Sequence, residues 1–320
     1  MHQKSEKILL SPTDLSNFLG CRHLSHLDLN AAKGQVERPV RYGPLMDELK
    51  ARGLAHEEMY LEYLRGQGLS IAQASDLEAN GQSKRSGVEK TIAAMRDGAD
   101  IIYQAALADD AWAGRADFLR KVDTPSDLGE WSYEIIDTKL ARDTKAGTIL
   151  QLCVYSYLVE KLQDVRPEYM YVVSPGTNFE PAAYRIDDYA AYFRLLERGI
   201  DQFIAHPEDT YPELISHCDL CAWWAECEQR RRGDDHLCYV AGISRSQIKN
   251  LQTLGVERLA DLAKLKEIPN LRQGSGEALA RVRDQARVQL TGRENKDSYY
   301  VWKGPYDPEL GLAFVAAARA

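Results

Sequence analysis

The densest chemistry in the chain lies in Glu134-Ile135-Ile136-Asp137-Thr138-Lys139-Leu140, where an acid and a base stand two residues apart in a β-forming run. Side chains two apart on a strand share a face, so Asp137 and Lys139 point one way while Ile136 and Thr138 point the other. Upstream, Gly114-Arg115-Ala116-Asp117 places a second carboxylate on a neighbouring strand, across a turn short enough for hairpin pairing. Two carboxylates and a lysine meeting on one sheet edge suit a hard divalent cation, Mg²⁺ or Mn²⁺. Asp117 and Asp137 would ligate it, and Lys139 would orient or help deprotonate an attacking water. Asp-x-Lys alone reads first as a surface ion pair, Asp137 with Lys139 or Arg115, because such pairs are common on solvated sheet faces. The order and company of other residues change that reading. His56 lies upstream in a helical run, and Gln151 and Tyr155 lie downstream at i and i+4 on one helix, sharing a face that can look back at the sheet edge. Singly, each has an ordinary role: a half-buried histidine, a satisfied polar group near a strand end, a core tyrosine.

The cysteines form a second, independent signal. Six are present, and the N-terminus lacks the apolar stretch of a signal peptide, so reduced cytoplasmic thiols are expected rather than disulfides. Cys218-x₂-Cys221-x₅-Cys227 offers three thiolates, one short of a tetrahedral site. Cys238 or the distant Cys21 completes it, unless His217 or His236 joins a local Zn²⁺ knuckle. Cys153 falls on the apolar side of the Gln151 helix and reads as core; Cys238 has no other assignment.

The order of these motifs resembles the RecB-type branch of the PD-(D/E)XK nuclease superfamily. The matching elements are a helix with Gly53-Leu54-Ala55-His56-Glu57, a strand with Gly114-Arg115-Ala116-Asp117, a strand with Asp137-Thr138-Lys139, and a helix with Gln151 through Tyr155. The resemblance spans roughly Ser11 to Arg232. It implies a restriction-endonuclease-like core and metal ligation by His56, Asp117, Asp137 and the main-chain carbonyl of Thr138. Lys139 is assigned to the catalytic water, and Gln151 and Tyr155 to the DNA-facing helix. A lone cysteine before the nuclease motifs and Cys-x₂-Cys-x₅-Cys after them looks like the iron–sulfur staple of AddB and of the CRISPR-associated RecB-like exonucleases. By that resemblance Cys21, Cys218, Cys221 and Cys227 bind one [4Fe–4S] cluster, a structural clamp rather than a redox centre.

The surrounding elements are legible from pattern. Ser11 and Pro12 start a helix that closes at Cys21 and Arg22, and a second runs from Pro44 to about Arg65. Ile101–Leu107, Trp112–Val122 and Tyr133–Leu140 read as an antiparallel meander. Helix 146–162, strand 169–173, strand 182–186 and helix 188–203 follow, giving a mixed α/β sheet flanked by helices and then a small helical module. The expected domains are a nuclease domain closed by the cysteines over 1–235, a helical module over 236–293, helix–hairpin–helix-like around Gly255, and a linker or truncated further domain over 294–320. Trp223 and Trp224 suit stacking on bases or shielding of a cluster, and Arg230-Arg231-Arg232 suits phosphate or a solvated loop.

Composition narrows the function classes. The chain has 320 residues, 44% hydrophobic and 28% charged, with net charge −8, so it is neither disordered nor a polycation that coats nucleic acid. No apolar run nears the ~20 residues of a membrane span, and a cytoplasmic location is expected. The leading expectation is an Mg²⁺- or Mn²⁺-dependent deoxyribonuclease, exonuclease-like, serving repair or recombination. Its substrate would be single-stranded or frayed DNA, with a helicase fused or in trans. The competing classes are a non-catalytic DNA-binding scaffold of a helicase–nuclease assembly and a zinc-binding regulatory protein.

Overall fold

A computed structural model of the chain describes residues 1–4, 7–40, 44–74, 84–268 and 276–296. The chain divides into two compact units, Met1–Trp224 and Ala225–Ala320.

The first unit opens with the hairpin β1 (His2–Lys4) and β2 (Lys7–Leu9). Helix α1 (Pro12–Gly20) follows, with Pro12 at its first position. Its start is fixed by Asp14, whose Oδ2 accepts the Ser11 N–H and the Ser11 hydroxyl, both at 2.8 Å. The expected stop at Cys21 is real, but a second helix, α2 (Arg22–Ala32), begins one residue later. Cys21 is extended (φ −156°) and serves both helices as cap. The long α3 (Pro44–Gly66) leads to a short strand β3 (Ile71–Gln73), followed by α4 (Lys84–Arg96).

The meander is β4 (Ile101–Ala108), β5 (Ala113–Val122) and β6 (Ser132–Thr138), antiparallel throughout. Helix α5 (Ala146–Gln163) crosses back to β7 (Tyr169–Val173), parallel to β6. Strand β8 (Ala182–Arg185) forms an antiparallel edge, and α6 (Asp187–Ala205) packs behind. The sheet order is β3-β4-β5-β6-β7-β8, so the fold is the α/β class with helices on both faces. Strand β6 is central and buried at every position from Ser132 to Asp137, as expected for a strand covered on both sides. One face carries Leu119, Ile135 and Met170 in a core shared with α1, α5 and α6. The other carries Phe118, Ile136 and Val173 against Tyr60, Leu61 and Leu64 of α3.

The two faces exchange at one point. Tyr103 and Phe118 pair across β4–β5 and belong to the α3 side, whereas the next pair, Ala105 and Ala116, belongs to the α5 side. Residues two apart on a regular strand share a face. The switch occurs at Gln104, a non-glycine residue with φ +55°, opposite Asp117.

The second unit contains α7 (Trp224–Gly233), α8 (Arg245–Gln252), α9 (Leu259–Lys264) and α10 (Gly276–Asn295). Its own core is Leu237, Val240, Leu251, Leu259, Leu262 and Leu279. Ser244 caps α8 by accepting the Gln247 N–H at 3.2 Å, and Gly255 (φ +77°) makes the turn between α8 and α9. Residues 297–320, and with them most of the expected third segment, lie outside the described residues. Among the described residues no helix is long and apolar enough to cross a membrane.

Candidate active site

The β5–β6 register pairs Phe118 with Ile136, and one step further it sets Asp117 beside Asp137. Thr138 fixes Asp117 in place: its main-chain N–H (2.8 Å) and its hydroxyl (2.9 Å) both donate to Asp117 Oδ2. Lys139 Nζ stands 2.6 Å from Asp137 Oδ2. That oxygen is buried, and the Lys139 ammonium against it favours the charged form of Asp137 and is itself favoured by that charge. Burial pushes the Asp137 carboxyl up to about 7, with the Asp117 and Glu57 charges adding to the shift and Lys139 opposing it. For Lys139 burial disfavours the ammonium, but Asp137, Asp117 and Glu57 outweigh this and raise its pKa. Lys139 is thus held as a cation by three acids.

Glu57 was not singled out from the sequence. It is buried on α3, and burial followed by the Asp117 charge raises its pKa. The Gln104 amide donates to its Oε1, so the residue at the strand switch holds this third acid. The signal was available: Glu57, Tyr60, Leu61 and Leu64 repeat at helical spacing and all are buried.

His56, the neighbour of Glu57, is also buried, but its Nε2 lies 3.2 Å from the Val173 main-chain oxygen. The same oxygen accepts the Lys139 N–H at 3.0 Å. That ring nitrogen is therefore engaged with the end of β7. Among the described residues no three His, Cys, Asp or Glu side chains gather closely enough to hold an ion. The donor chemistry nevertheless fits a hard cation. Three acids interact, burial first and the charges of Asp117 and Glu57 after it favour a proton on Asp137, and a positive ion would favour the charged carboxylate instead.

Tyr155 reaches the site from α5. Its hydroxyl donates to the Arg115 main-chain oxygen at 2.8 Å. Burial raises the phenol pKa, and the charges of Asp137 and Asp117 add to it. The hydroxyl thus ties α5 to β5. Gly114 makes the approach possible, since a Cβ there would sit 2.8 Å from Pro12 Cδ and 2.9 Å from Tyr155 Cε1. Gln151, one turn earlier, is half-buried. A cleft of ≈ 1290 Å³ opens between α3 and the sheet, lined among others by Glu57, Gln104, Arg115 and Asp117.

In the cysteine region, Cys21 and Cys221 are each raised by burial first and then by neighbouring thiols, Cys218 for Cys21, and Cys21 and Cys218 for Cys221. Three of the expected ligands thus lie within electrostatic reach of one another. Amides point at them: the Leu24 N–H donates to Cys21 Sγ at 3.4 Å and the Ile215 N–H to Cys218 Sγ at 3.5 Å. N–H···S bonds of this kind suit thiolates that bind a metal or cluster. Trp223 is buried, with its indole N–H donated to Asp28 Oδ1 at 2.8 Å, so it does not offer a face to a base. Cys153 is buried in α5, as its apolar surroundings suggested.

Within the second unit, Arg231 is fully buried and lies 3.2 Å from Glu228, while Arg232 lies 2.6 Å from the same acid. Two members of the basic triplet are therefore engaged with Glu228 and do not form an open phosphate stripe.

No curated protein matches the sequence. The model of the PD-(D/E)XK nuclease superfamily matches residues 10–228. A match of that extent, about two thirds of the chain and running through both strands that carry the paired carboxylates, makes the protein a member of the PD-(D/E)XK nuclease superfamily.

Proposed function

We propose that the chain is a divalent-metal-dependent deoxyribonuclease that hydrolyses phosphodiester bonds, exonuclease-like, at single-stranded or frayed DNA in repair or recombination. The observation that carries the reading is Asp137, a buried carboxylate with a pKa of about 7, set among Asp117, Glu57 and the Lys139 ammonium. Asp117, Asp137 and the Thr138 carbonyl would hold Mg²⁺ or Mn²⁺. Glu57 is within electrostatic reach, and His56 would join through Nδ1, or through Nε2 by releasing the Val173 oxygen. When bound, the ion would supply charge neutralisation at the phosphoryl oxygens and acidify the attacking water. Lys139, cationic with a raised pKa, donates a hydrogen bond that orients this water and steadies negative charge developing on phosphorus oxygens. Tyr155 keeps α5 against β5, and Gln151 on the same helix face is directed at the substrate strand.

The reading also includes a structural [4Fe–4S] cluster on Cys21, Cys218, Cys221 and, as its fourth thiolate, Cys227. The Leu254-Gly255-Val256 turn would add sequence-independent phosphate contacts. A helicase, fused or separate, would deliver the strand.

Purified protein with Mn²⁺ should degrade labelled single-stranded DNA, and Asp137→Ala should not. Binding of DNA by the wild type without metal-dependent cleavage would overturn the catalytic reading in favour of a scaffold. Iron, sulfide and zinc analysis of anaerobically purified protein decides the cysteine site: about four irons per chain supports the cluster, and zinc alone replaces it.

A further inference from the structure

Helix α3 presents an unusual wall to the active-site cleft. Leu54 (58% exposed), Met59 (53%) and Tyr63 (39%) leave apolar surface in solvent and line the cleft. Phe179, from the loop between β7 and β8, lies against this wall, with its ring centroid 5.1 Å from Tyr63 and 6.2 Å from His56. Tyr63 and Phe179 line both this cleft and a neighbouring one of ≈ 610 Å³, so the two rings form the ridge between them.

The loop is built to hold Phe179 there. Asn178 (φ +50°) and Phe179 (φ +65°) are consecutive non-glycine residues in the left-handed region, an arrangement a bulky side chain adopts only when its surroundings enforce it. The Thr177 hydroxyl donates to the Ser174 oxygen at 3.0 Å and the Glu180 N–H to the Thr177 oxygen at 3.0 Å, closing the turn.

The charges of the cleft say which part of a ligand meets this wall. Glu58 and Glu62 belong to α3 and line the cleft with the aromatic and apolar side chains. Arg65 on the same helix also lines the cleft and pairs with Glu62, which leaves Glu58 as the acid that a phosphate backbone laid along α3 would meet. Arg115 lines the sheet side, and Lys139 stands beside the carboxylates. A strand in the cleft is thus driven to turn its phosphates toward the sheet and its bases toward the rings. Only an unpaired nucleotide can do so, because base faces in a duplex are already stacked on one another.

We propose that the Tyr63–Phe179 ridge is a base-stacking subsite that grips an unpaired nucleotide of the strand whose phosphodiester reaches Asp117 and Asp137. The inference rests on the nuclease reading above and sharpens it to single-stranded substrate held without sequence preference, since every base has a stacking face.

The test uses the full chain and a single-stranded oligonucleotide carrying 2-aminopurine, with Ca²⁺ in place of Mn²⁺. Wild-type protein should quench the fluorophore on binding. Phe179→Ala and Tyr63→Ala should each lose most of the quenching and weaken binding about tenfold, with Phe179→Tyr restoring both. In Mn²⁺, Phe179→Ala should raise KM about tenfold with a smaller change in kcat; its lost packing on Tyr60 and Tyr63 lowers the unfolding midpoint, so binding and cleavage are compared at a temperature where both proteins are folded. Unchanged quenching and affinity in both alanine variants would overturn the subsite, as would blunt duplex binding as tightly as the single strand with the same dependence on Phe179. Failure of the nuclease reading looks different: quenching that depends on Phe179 without any cleavage in Mn²⁺ leaves the subsite standing and removes the catalysis.

Discussion

Strand β6 carries two buried acids three residues apart, Glu134 and Asp137, and they live in opposite circumstances. Glu134 accepts the main-chain N–H groups of Glu168 (3.1 Å) and Tyr169 (2.8 Å) and the Tyr171 hydroxyl (2.8 Å). Its charge is met by donors that the protein supplies. Asp137 receives one ammonium contact, and burial, with the charges of two further acids added to it, makes a proton nearly as stable as the charge at neutral pH. The first acid closes the gap where β7 begins. The second, with fewer donors and more acids around it, is the one a bound cation would favour. Burial alone therefore does not distinguish a structural carboxylate from a functional one; the inventory of donors around it does.

Substitution at the two positions should break in opposite directions. Asp137→Asn should reduce Mn²⁺-dependent cleavage by about three orders of magnitude or more, the loss of several kcal/mol of transition-state stabilisation. The same change should leave the metal-free protein at least as stable as the wild type at pH 8, because a neutral amide imitates the protonated acid. Glu134→Gln should do the reverse: lower stability by about 2 kcal/mol as charge-assisted bonds are weakened, with cleavage by the folded fraction changed only a few-fold. Cleavage rates and thermal unfolding of both variants check this, and a loss of catalysis equal in the two would erase the distinction.

The pH dependence of stability follows from the same asymmetry. The folded Asp137 carboxyl titrates near 7, against about 3.9 for an unfolded aspartate. Between those values the native state keeps a proton that the unfolded chain has released, so stability from this group falls as pH rises from about 4 through 7 and is level above. The loss over that window should be on the order of 4 kcal/mol. Unfolding of metal-free protein followed from pH 5 to 8 should show the decline, and Asp137→Asn should flatten it. Mn²⁺ at a hundred times its dissociation constant should restore about 2.7 kcal/mol at pH 8, and the Asn variant should gain far less. A wild-type profile that stays level without metal would mean that Asp137 is already satisfied.

Much of this was legible in the sequence because the strongest pattern and the chemistry coincide. The meander of β4, β5 and β6 announces itself in runs of Ile, Val and Tyr broken by turn residues, and the carboxylate spacing falls on those strands. Helix α2 was missed because Cys21 alone separates it from α1, and one extended residue leaves no composition signal. Strand β3, only three residues long, is too short to carry an alternation signal. Glu57 escaped because it adjoins both His56 and Glu58. Which of three polar neighbours turns inward depends on the phase of α3 against the sheet, a tertiary fact. The orientation of His56 toward Val173 is likewise set by where β7 ends. Gly114 was read as part of a motif; its reason is steric, the contact of Pro12 and Tyr155 over its α-carbon. Gly114→Ala should therefore overpack this junction, costing about 1–3 kcal/mol. Cleavage should fall with the displacement of Tyr155, and unfolding midpoints would reveal an insensitive site.

The smallest expected effect belongs to Gln104, and it tests whether the strand switch serves Glu57 or merely bends β4. Replacing Gln104 by glycine removes a left-handed non-glycine residue, a gain of about 1–2 kcal/mol. Against that stand the backbone freedom of glycine in the unfolded chain, about 0.5–1 kcal/mol, and the lost amide donor to Glu57, about 1 kcal/mol. The terms nearly cancel, so the unfolding midpoint should scarcely move. Activity should move instead: Glu57, released from Gln104 but still repelled by Asp117, can swing away from the carboxylate pair, and Mn²⁺-dependent cleavage should drop several-fold. Gln104→Asn keeps an amide and tolerates the same backbone, yet its shorter side chain falls short of Glu57, so it should resemble the glycine variant in activity. Wild-type cleavage in both variants would mean that the left-handed residue shapes the strand and nothing more, and that Glu57 holds its position through α3 alone.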